Sequence, residues 1–297
     1  MEEKSMTAFV SCFSRCYHSK NSEYKIFNDT IAEKLLSEEE YNTVSKHMTD
    51  GINFFNPSFK GTNEEALRWI VDNQLSPSVL GRSAFCEKAL FNAIKIGCRQ
   101  YLIYASGYDT FAYRNKFNDL EIFEIDRSEM IKDKIRRVQS NELDSSRVHY
   151  ITCEFTDNNW INSILKSSYN KENVSFSSLL GISYYLSNEE FAKMIRDISK
   201  IIINGSSIVF DYPNNEDSQE VLMTEKLASA ANEKMKSRYT YKEIERILSE
   251  NGFLIYEHLD YHEMTNHYFY DYNTLNPNHK IIAPKGICYC LAVKNQL

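Results

Sequence analysis

Between residues 101 and 126 the chain reads Tyr-Leu-Ile-Tyr-Ala-Ser-Gly-Tyr-Asp-Thr-Phe-Ala-Tyr-Arg, and then, after a short interval, Glu-Ile-Phe-Glu-Ile-Asp. The apolar run at 101–105, broken by Ser106 and Gly107, predicts a buried strand that ends in a tight turn. Gly107 can take a positive φ and lets a ligand lie against bare backbone. A second strand, 121–125, ends in the carboxylate of Asp126. Nucleotide-binding α/β sheets place an acid for the ribose hydroxyls about 20 residues beyond the turn, and Asp126 has that spacing. Strand, glycine turn, strand and acid in this order predict an α/β sheet that binds an adenosine-containing cofactor.

The rest of the chain supports an α/β class. Strands are predicted at 101–105, 121–125, 148–153, 174–181, 206–212, 253–259 and 287–293. Helices are predicted between them at 128–141, 157–168, 188–203, 217–235 and 241–251. In the third of these, Phe191, Met194, Ile195, Ile198, Ile201 and Ile202 recur at helical period behind the capping box Ser187–Glu190. Thr240 and Gly252 bound another helix. Ahead of the sheet, residues 1–75 read as a helical extension, with capping boxes at Ser37–Glu40 and Thr62–Glu65, and 78–97 as a further helix. Alternation of this kind demands a mostly parallel sheet with right-handed crossovers. No regular helix is expected at 261–284, a Tyr-, His- and Asn-rich stretch, which permits an antiparallel last strand. The segments 1–25 and 261–284 are expected to cover the pocket as lids. The chain is read as one domain, 1–297, with a core from residue 76.

The turn discriminates between cofactors. A dinucleotide fingerprint needs three glycines facing a pyrophosphate, whereas the equivalent positions here are Ala105, Gly107 and Thr110. Asp109 would repel phosphate. S-adenosylmethionine has no phosphate and carries a cationic sulfonium and a cationic amine, so it suits an acidic turn.

At these residues the chain resembles the leucine carboxyl methyltransferase type of S-adenosylmethionine-dependent methyltransferases, in the bacterial O-methyltransferase branch. Positions 104–114, with Asp109, Thr110 and Arg114, are similar to that family's G-x-G-x-D-T-x-x-x-R turn, and 123–126 to its F-E-x-D strand end. Positions 180–186, Leu-Gly-Ile-Ser-Tyr-Tyr-Leu, resemble its E-G-x-x-x-Y-L segment, and Thr7, Ala8, Arg15 and Asp29 its N-terminal pattern. There are two departures. Ala105 stands for the first glycine, and Leu180 for an acid, whose contact is absent or replaced.

The resemblance implies a class I methyltransferase fold, a Rossmann-like, seven-stranded, mostly parallel sheet with helices on both faces and an N-terminal helical lid. It implies that Ala105, Gly107, Asp109, Thr110, Asp126, Arg127, Glu154, Phe155 and Leu180 lie around the cofactor. Arg82 and Arg15 are expected to clamp its carboxylate, since guanidinium binds carboxylate bidentately, although a lone arginine would otherwise read as surface charge. Tyr184 and Tyr185 are expected beside the transferred methyl.

Methyl transfer needs no nucleophile from the protein, only alignment of an acceptor oxygen. A carboxylate is already ionised at neutral pH, whereas a phenol needs a base. No unmistakable base is legible, which favours a small-molecule or peptide acceptor with a carboxylate or acidic hydroxyl. The alternatives are a nicotinamide-dependent oxidoreductase, disfavoured by Asp109, and an S-adenosylmethionine-binding protein without catalysis.

The net charge of −7, from 34 basic and 41 acidic residues, makes nucleic acid an unexpected partner. No run has the length of a membrane span, and the N-terminus has no apolar signal segment. Seven scattered cysteines read as reduced, buried thiols of a cytoplasmic protein, and neither they nor His258 and His262 have metal-site spacing.

Overall fold

The computed structural model describes residues 5–216 and 234–295. Seven strands form one sheet in the order β3-β2-β1-β4-β5-β7-β6. They are β1 (Gln100–Tyr104), β2 (Glu121–Asp126), β3 (Val148–Thr152), β4 (Ser175–Leu179), β5 (Ser207–Pro213), β6 (Phe253–Leu259) and β7 (Ile287–Lys294). Every strand falls within two residues of its predicted ends. β1 pairs in parallel with both β2 and β4, and β7 runs antiparallel between β5 and β6. The order reverses between β1 and β4, the point at which open α/β sheets bind ligands outside the strand carboxyl ends.

Both faces of the sheet are covered, so β1 and β4 are buried throughout. One face carries Leu102, Phe123 and Phe210 against Phe191, Ile195 and Ile198 of α10 (Asn188–Ser199). The other carries Tyr101, Ile103 and Tyr289 against Phe85, Ala89 and Leu90 of α6 (Ser76–Lys95). A third core lies under the N-terminal helices, where Phe9, Cys12, Phe13 and Cys16 of α1 (Met6–Asn21) pack with Tyr108 and Met130. The expected capping boxes at Ser37, Thr62 and Ser187 are all formed, and Thr240, expected to start a helix, forms one as well.

Three helical expectations are corrected. The helix predicted at 157–168 is only Ile161–Leu165, because the Asp157-Asn158-Asn159 run is used in turns, with the Asp157 N–H donating to the Glu154 carbonyl at 2.9 Å. The helix predicted at 188–203 stops at Ser199, and Ile201 and Ile202 are buried beyond its end. The stretch expected to lack regular helix is helical from Tyr261 to Met264 and from Tyr270 to Leu275, with a π-helical turn, Thr265–Phe269, between. Asp260 and Glu263 form a reciprocal capping box there, and Met264, Phe269 and Tyr272 are buried. The helix predicted at 217–235 lies, except for its last two positions, outside the described residues.

Among the described residues no helix is long and apolar enough to cross a membrane, and no group of three or more His, Cys, Asp or Glu could hold a metal ion. All seven cysteines are free thiols; six are buried, and Cys153 is half-buried rather than buried as expected.

Candidate functional site at the strand carboxyl ends

The turn after β1 folds on two left-handed residues, Ala105 at φ 52° and Gly107 at φ 47°. Glycine takes this conformation freely, while an L-residue pays about 1–2 kcal/mol. Ala105 is therefore strained where the resemblance places a glycine. The Ser106 N–H donates to the Ile125 carbonyl at 3.2 Å and the Asp109 N–H to the Ser106 carbonyl at 2.8 Å, which ties the turn to β2 and closes it.

Asp126 lies directly beneath. Its carboxylate accepts the Gly107 and Arg127 N–H groups, each at 2.7 Å. Burial outweighs these bonds and holds its pKa above the usual carboxylate value. Each oxygen has two acceptor positions, so both retain one. In the same turn the Ser106 hydroxyl is buried and, among the described residues, has no hydrogen-bond partner. A buried acid with spare lone pairs and an orphaned hydroxyl beside it fit the adenosine portion of S-adenosylmethionine.

Asp109 and Thr110 build the turn from within. Asp109 accepts the Phe111 N–H at 2.8 Å, opening the short helix α7 (Phe111–Arg114). The Thr110 hydroxyl donates to Asp29 at 2.7 Å and accepts from Arg114 Nε at 3.0 Å, while Arg114 also pairs with Glu87 of α6. Arg15 of α1 pairs with Asp29 at 2.8 Å and donates to the Tyr108 carbonyl at 2.6 Å. Burial alone would raise the Asp29 pKa, but Arg15 and Arg114 outweigh it and hold the carboxyl below its usual range. This network fastens α1 to the turn, and a Cβ at Gly107 would sit 3.2 Å from the Ala8 methyl. The Arg15 guanidinium is thus already engaged by Asp29 and Tyr108.

Arg82 sits at the end of β4. Its Nη2 donates to Ser11 of α1 at 3.1 Å, and its Nη1 lies 3.6 Å from Asp211 of β5. Gly181, at φ 70°, follows β4, and a Cβ there would lie only 2.6 Å from Arg82 Nη1. Leu180 packs into the apolar core beside α6. Tyr184 and Tyr185 form a 3₁₀ turn with ring centroids 6.3 Å apart. The Tyr184 hydroxyl donates to Asp211 at 2.8 Å, and burial together with that carboxylate pushes its pKa well above 10. Past β3, Glu154 is exposed, and Phe155 packs its ring on Trp160 at 5.3 Å and Tyr104 at 6.3 Å. Arg127 is exposed and contributes its backbone N–H to Asp126.

The structure thus gathers Ala105, Gly107, Asp109, Thr110 and Asp126 at the end of β1 and β2, and Arg82, Leu180, Tyr184 and Tyr185 at the end of β4. Glu154 and Phe155 stand beyond β3. The sequence reading missed Asp211 and Glu87. Asp211 had a signal, a lone acid near the end of the apolar run 208–212, the same kind that marked Asp126. His258, whose spacing from His262 does not suit a metal site, hydrogen-bonds through Nε2 to the Tyr212 hydroxyl at 2.7 Å.

Comparison with known proteins gives consistent results. The family model described as leucine carboxyl methyltransferase matches residues 8–199. YktD of Bacillus subtilis, named as a candidate S-adenosyl-L-methionine-dependent methyltransferase, is 36% identical over 98% of each chain. A crystal structure of a DUF574 family protein from Streptomyces avermitilis superposes with a TM-score of 0.63 at 15% identity, covering 98% of each chain. One from Thermobifida fusca, titled as a candidate methyltransferase, gives a TM-score of 0.58 at 14% identity, covering 99% of this chain and 97% of that one. These two likenesses show a shared fold.

Proposed function

Because this chain belongs to the leucine carboxyl methyltransferase family and is an S-adenosylmethionine-dependent methyltransferase, we propose that it methylates an oxygen of a small-molecule or peptide acceptor. The acceptor group in this reading is a carboxylate or an acidic hydroxyl. The observation that carries it is Tyr184. Its hydroxyl, beside the expected methyl position, is committed as a donor to Asp211 at 2.8 Å, and burial keeps it protonated at neutral pH. It does not serve as a base, so an acceptor that arrives ionised suits the site.

The cofactor, when bound, supplies a methyl on a sulfonium, which leaves as a neutral thioether when the acceptor oxygen attacks. The chain's own residues bind and orient. Asp126 accepts the ribose hydroxyls on its spare lone pairs, and the backbone at Ala105 and Gly107 faces the adenosine. Arg82 takes the cofactor's carboxylate, while Arg15, paired with Asp29, braces α1 against the turn. Glu154 and Phe155 border the base, and Tyr184 and Tyr185 border the methyl. α1 and the helical segment from Tyr261 exclude water as lids over one domain, 1–297. A cytoplasmic location belongs to the same reading and is supported by the seven free thiols.

The test is methyl transfer from isotopically labelled S-adenosylmethionine to panels of carboxylic acids, carboxyl-terminal peptides and phenols. Label released as methanol by mild base, the mark of a methyl ester, is the expected result. Label found only in base-stable products would overturn the carboxylate reading.

A further inference from the structure

Asp211 is fully buried, and a carboxylate in that position is costly unless donors surround it. Its Oδ1 accepts the Gly181 N–H at 2.7 Å, and its Oδ2 accepts the Tyr184 hydroxyl at 2.8 Å. Oδ2 also faces Arg82 Nη1 at 3.6 Å, and the Asp211 carbonyl accepts the Ser183 hydroxyl at 2.7 Å. Three of these donors belong to the 181–184 segment just past β4, and the fourth comes from α6. The Asp211 carboxylate thereby holds Gly181, Tyr184 and Arg82, and its backbone carbonyl holds Ser183, so one residue of β5 ties together the rim at the switch point of the sheet.

Arg82 is the most constrained member. Its guanidinium lies so close to Gly181 that a methyl group there would meet Nη1 at 2.6 Å, and its other end is held by Ser11 at 3.1 Å. A guanidinium has five donor hydrogens, so these contacts leave donors for a ligand carboxylate. Paired with Asp211, Arg82 presents oriented N–H groups and a partly compensated charge. That arrangement suits a zwitterionic amino-acid arm, with an ammonium and a carboxylate on one carbon, better than a free cation would. Position 180, where the resemblance places an acid, is an apolar leucine, so a carboxylate at this end of β4 comes from the neighbouring strand.

We propose that Asp211 is a positioning residue for the amino-acid arm of the cofactor, acting through Arg82. The proposal rests on the assignment of Arg82 as the carboxylate clamp. Calorimetry with two ligands tests it. S-adenosylhomocysteine carries the amino-acid arm, and 5′-methylthioadenosine has the same adenosine and sulfur without it. Asp211→Asn keeps the shape and removes the charge. It is expected to weaken S-adenosylhomocysteine at least tenfold and leave 5′-methylthioadenosine within twofold. In an Arg82→Ala background the same substitution should have little further effect, since its partner is gone.

Equal losses for both ligands would mean that Asp211 only supports the fold, and an unchanged S-adenosylhomocysteine affinity would also overturn the proposal. So would effects of Asp211→Asn and Arg82→Ala that simply add. If Arg82→Ala alone leaves S-adenosylhomocysteine unaffected, the clamp assignment itself fails, a separate result. Should Asp211→Asn not fold, Gly181→Ala displaces Arg82 from the same rim without touching the acid. Selective loss of S-adenosylhomocysteine there supports the arrangement, and parallel loss of both ligands overturns it.

Discussion

Asp126→Ala is the sharpest perturbation, because that side chain holds the turn in the structure and, in the proposed reading, also binds the ribose. As a strand-end acid facing a cleft, it would be expected from sequence alone to leave the fold intact when removed. Its carboxylate instead holds the Gly107 and Arg127 N–H groups at 2.7 Å each. The two losses are unequal. Arg127 is exposed, so water replaces the acid there, whereas Gly107 is buried and its N–H is left without a partner. An unsatisfied buried donor costs about 1–3 kcal/mol, and the loss at Arg127 adds about 0.5 kcal/mol, so the variant should lose about 1.5–3.5 kcal/mol of stability. Cofactor binding should fall as well, by about 1.5–3 kcal/mol for bonds from the ribose to a charged acceptor, or about 10- to 150-fold. Urea unfolding measures the first quantity, and calorimetry with S-adenosylhomocysteine, well below the unfolding midpoint, measures the second. Asp126→Asn separates them, since one amide oxygen still accepts a single N–H, and it should recover part of the stability but little of the affinity. A stable Asp126→Ala variant with native affinity would refute both duties at once.

Ala105→Gly should stabilise the protein by about 0.5–1 kcal/mol, because relief of the left-handed strain at φ 52° exceeds the entropy that glycine adds to the unfolded chain. A lower melting temperature would show that the alanine methyl contributes packing that outweighs the strain. His18 of α1 is buried and accepts the Ile26 N–H on Nε2 at 3.0 Å, and burial, with a small contribution from Lys25, depresses its pKa to about 4. The folded state therefore binds this proton less readily than the unfolded chain, whose histidine titrates near 6.5. The stability His18 contributes is complete above pH 6.5 and is lost as pH falls towards 4, by up to about 3 kcal/mol. His18→Gln should flatten that part of the stability curve, and an unchanged curve would place the acid sensitivity elsewhere. Finally, hydrogen exchange should slow in α1 and in the segment from Tyr261 to Leu275 when S-adenosylhomocysteine binds. Protection confined to residues 101–126 would remove the lid role from both.

The sheet was legible because its information is local. A buried strand must be apolar throughout, and a left-handed turn calls for glycine, so the run at 101–105, Gly107 and Asp126 could be placed without knowing their neighbours. Helices were legible where a capping box preceded a periodic apolar face, as at Ser187. Asp260 and Glu263 carry the same signal, but a segment rich in Tyr, His and Asn reads as irregular, and it is the burial of Met264 and Phe269 that favours helix there.

The tertiary structure decided how charges are shared. Sequence spacing can set an arginine near a carboxylate-binding site, but it does not say whether that arginine already has a partner. Arg15 is 14 residues from Asp29, and only the fold of α1 over the turn brings Asp29, Thr110 and Arg114 into one buried network with it. Asp211 and Arg82 likewise meet only because β5 lies beside β4 and α6 packs across them. A carboxylate taken out of water must find its donors nearby in space, and the chain separation of those donors does not enter that requirement. The amino-acid order therefore determined where the turn and its acid lie, and packing determined which ions the site holds in pairs.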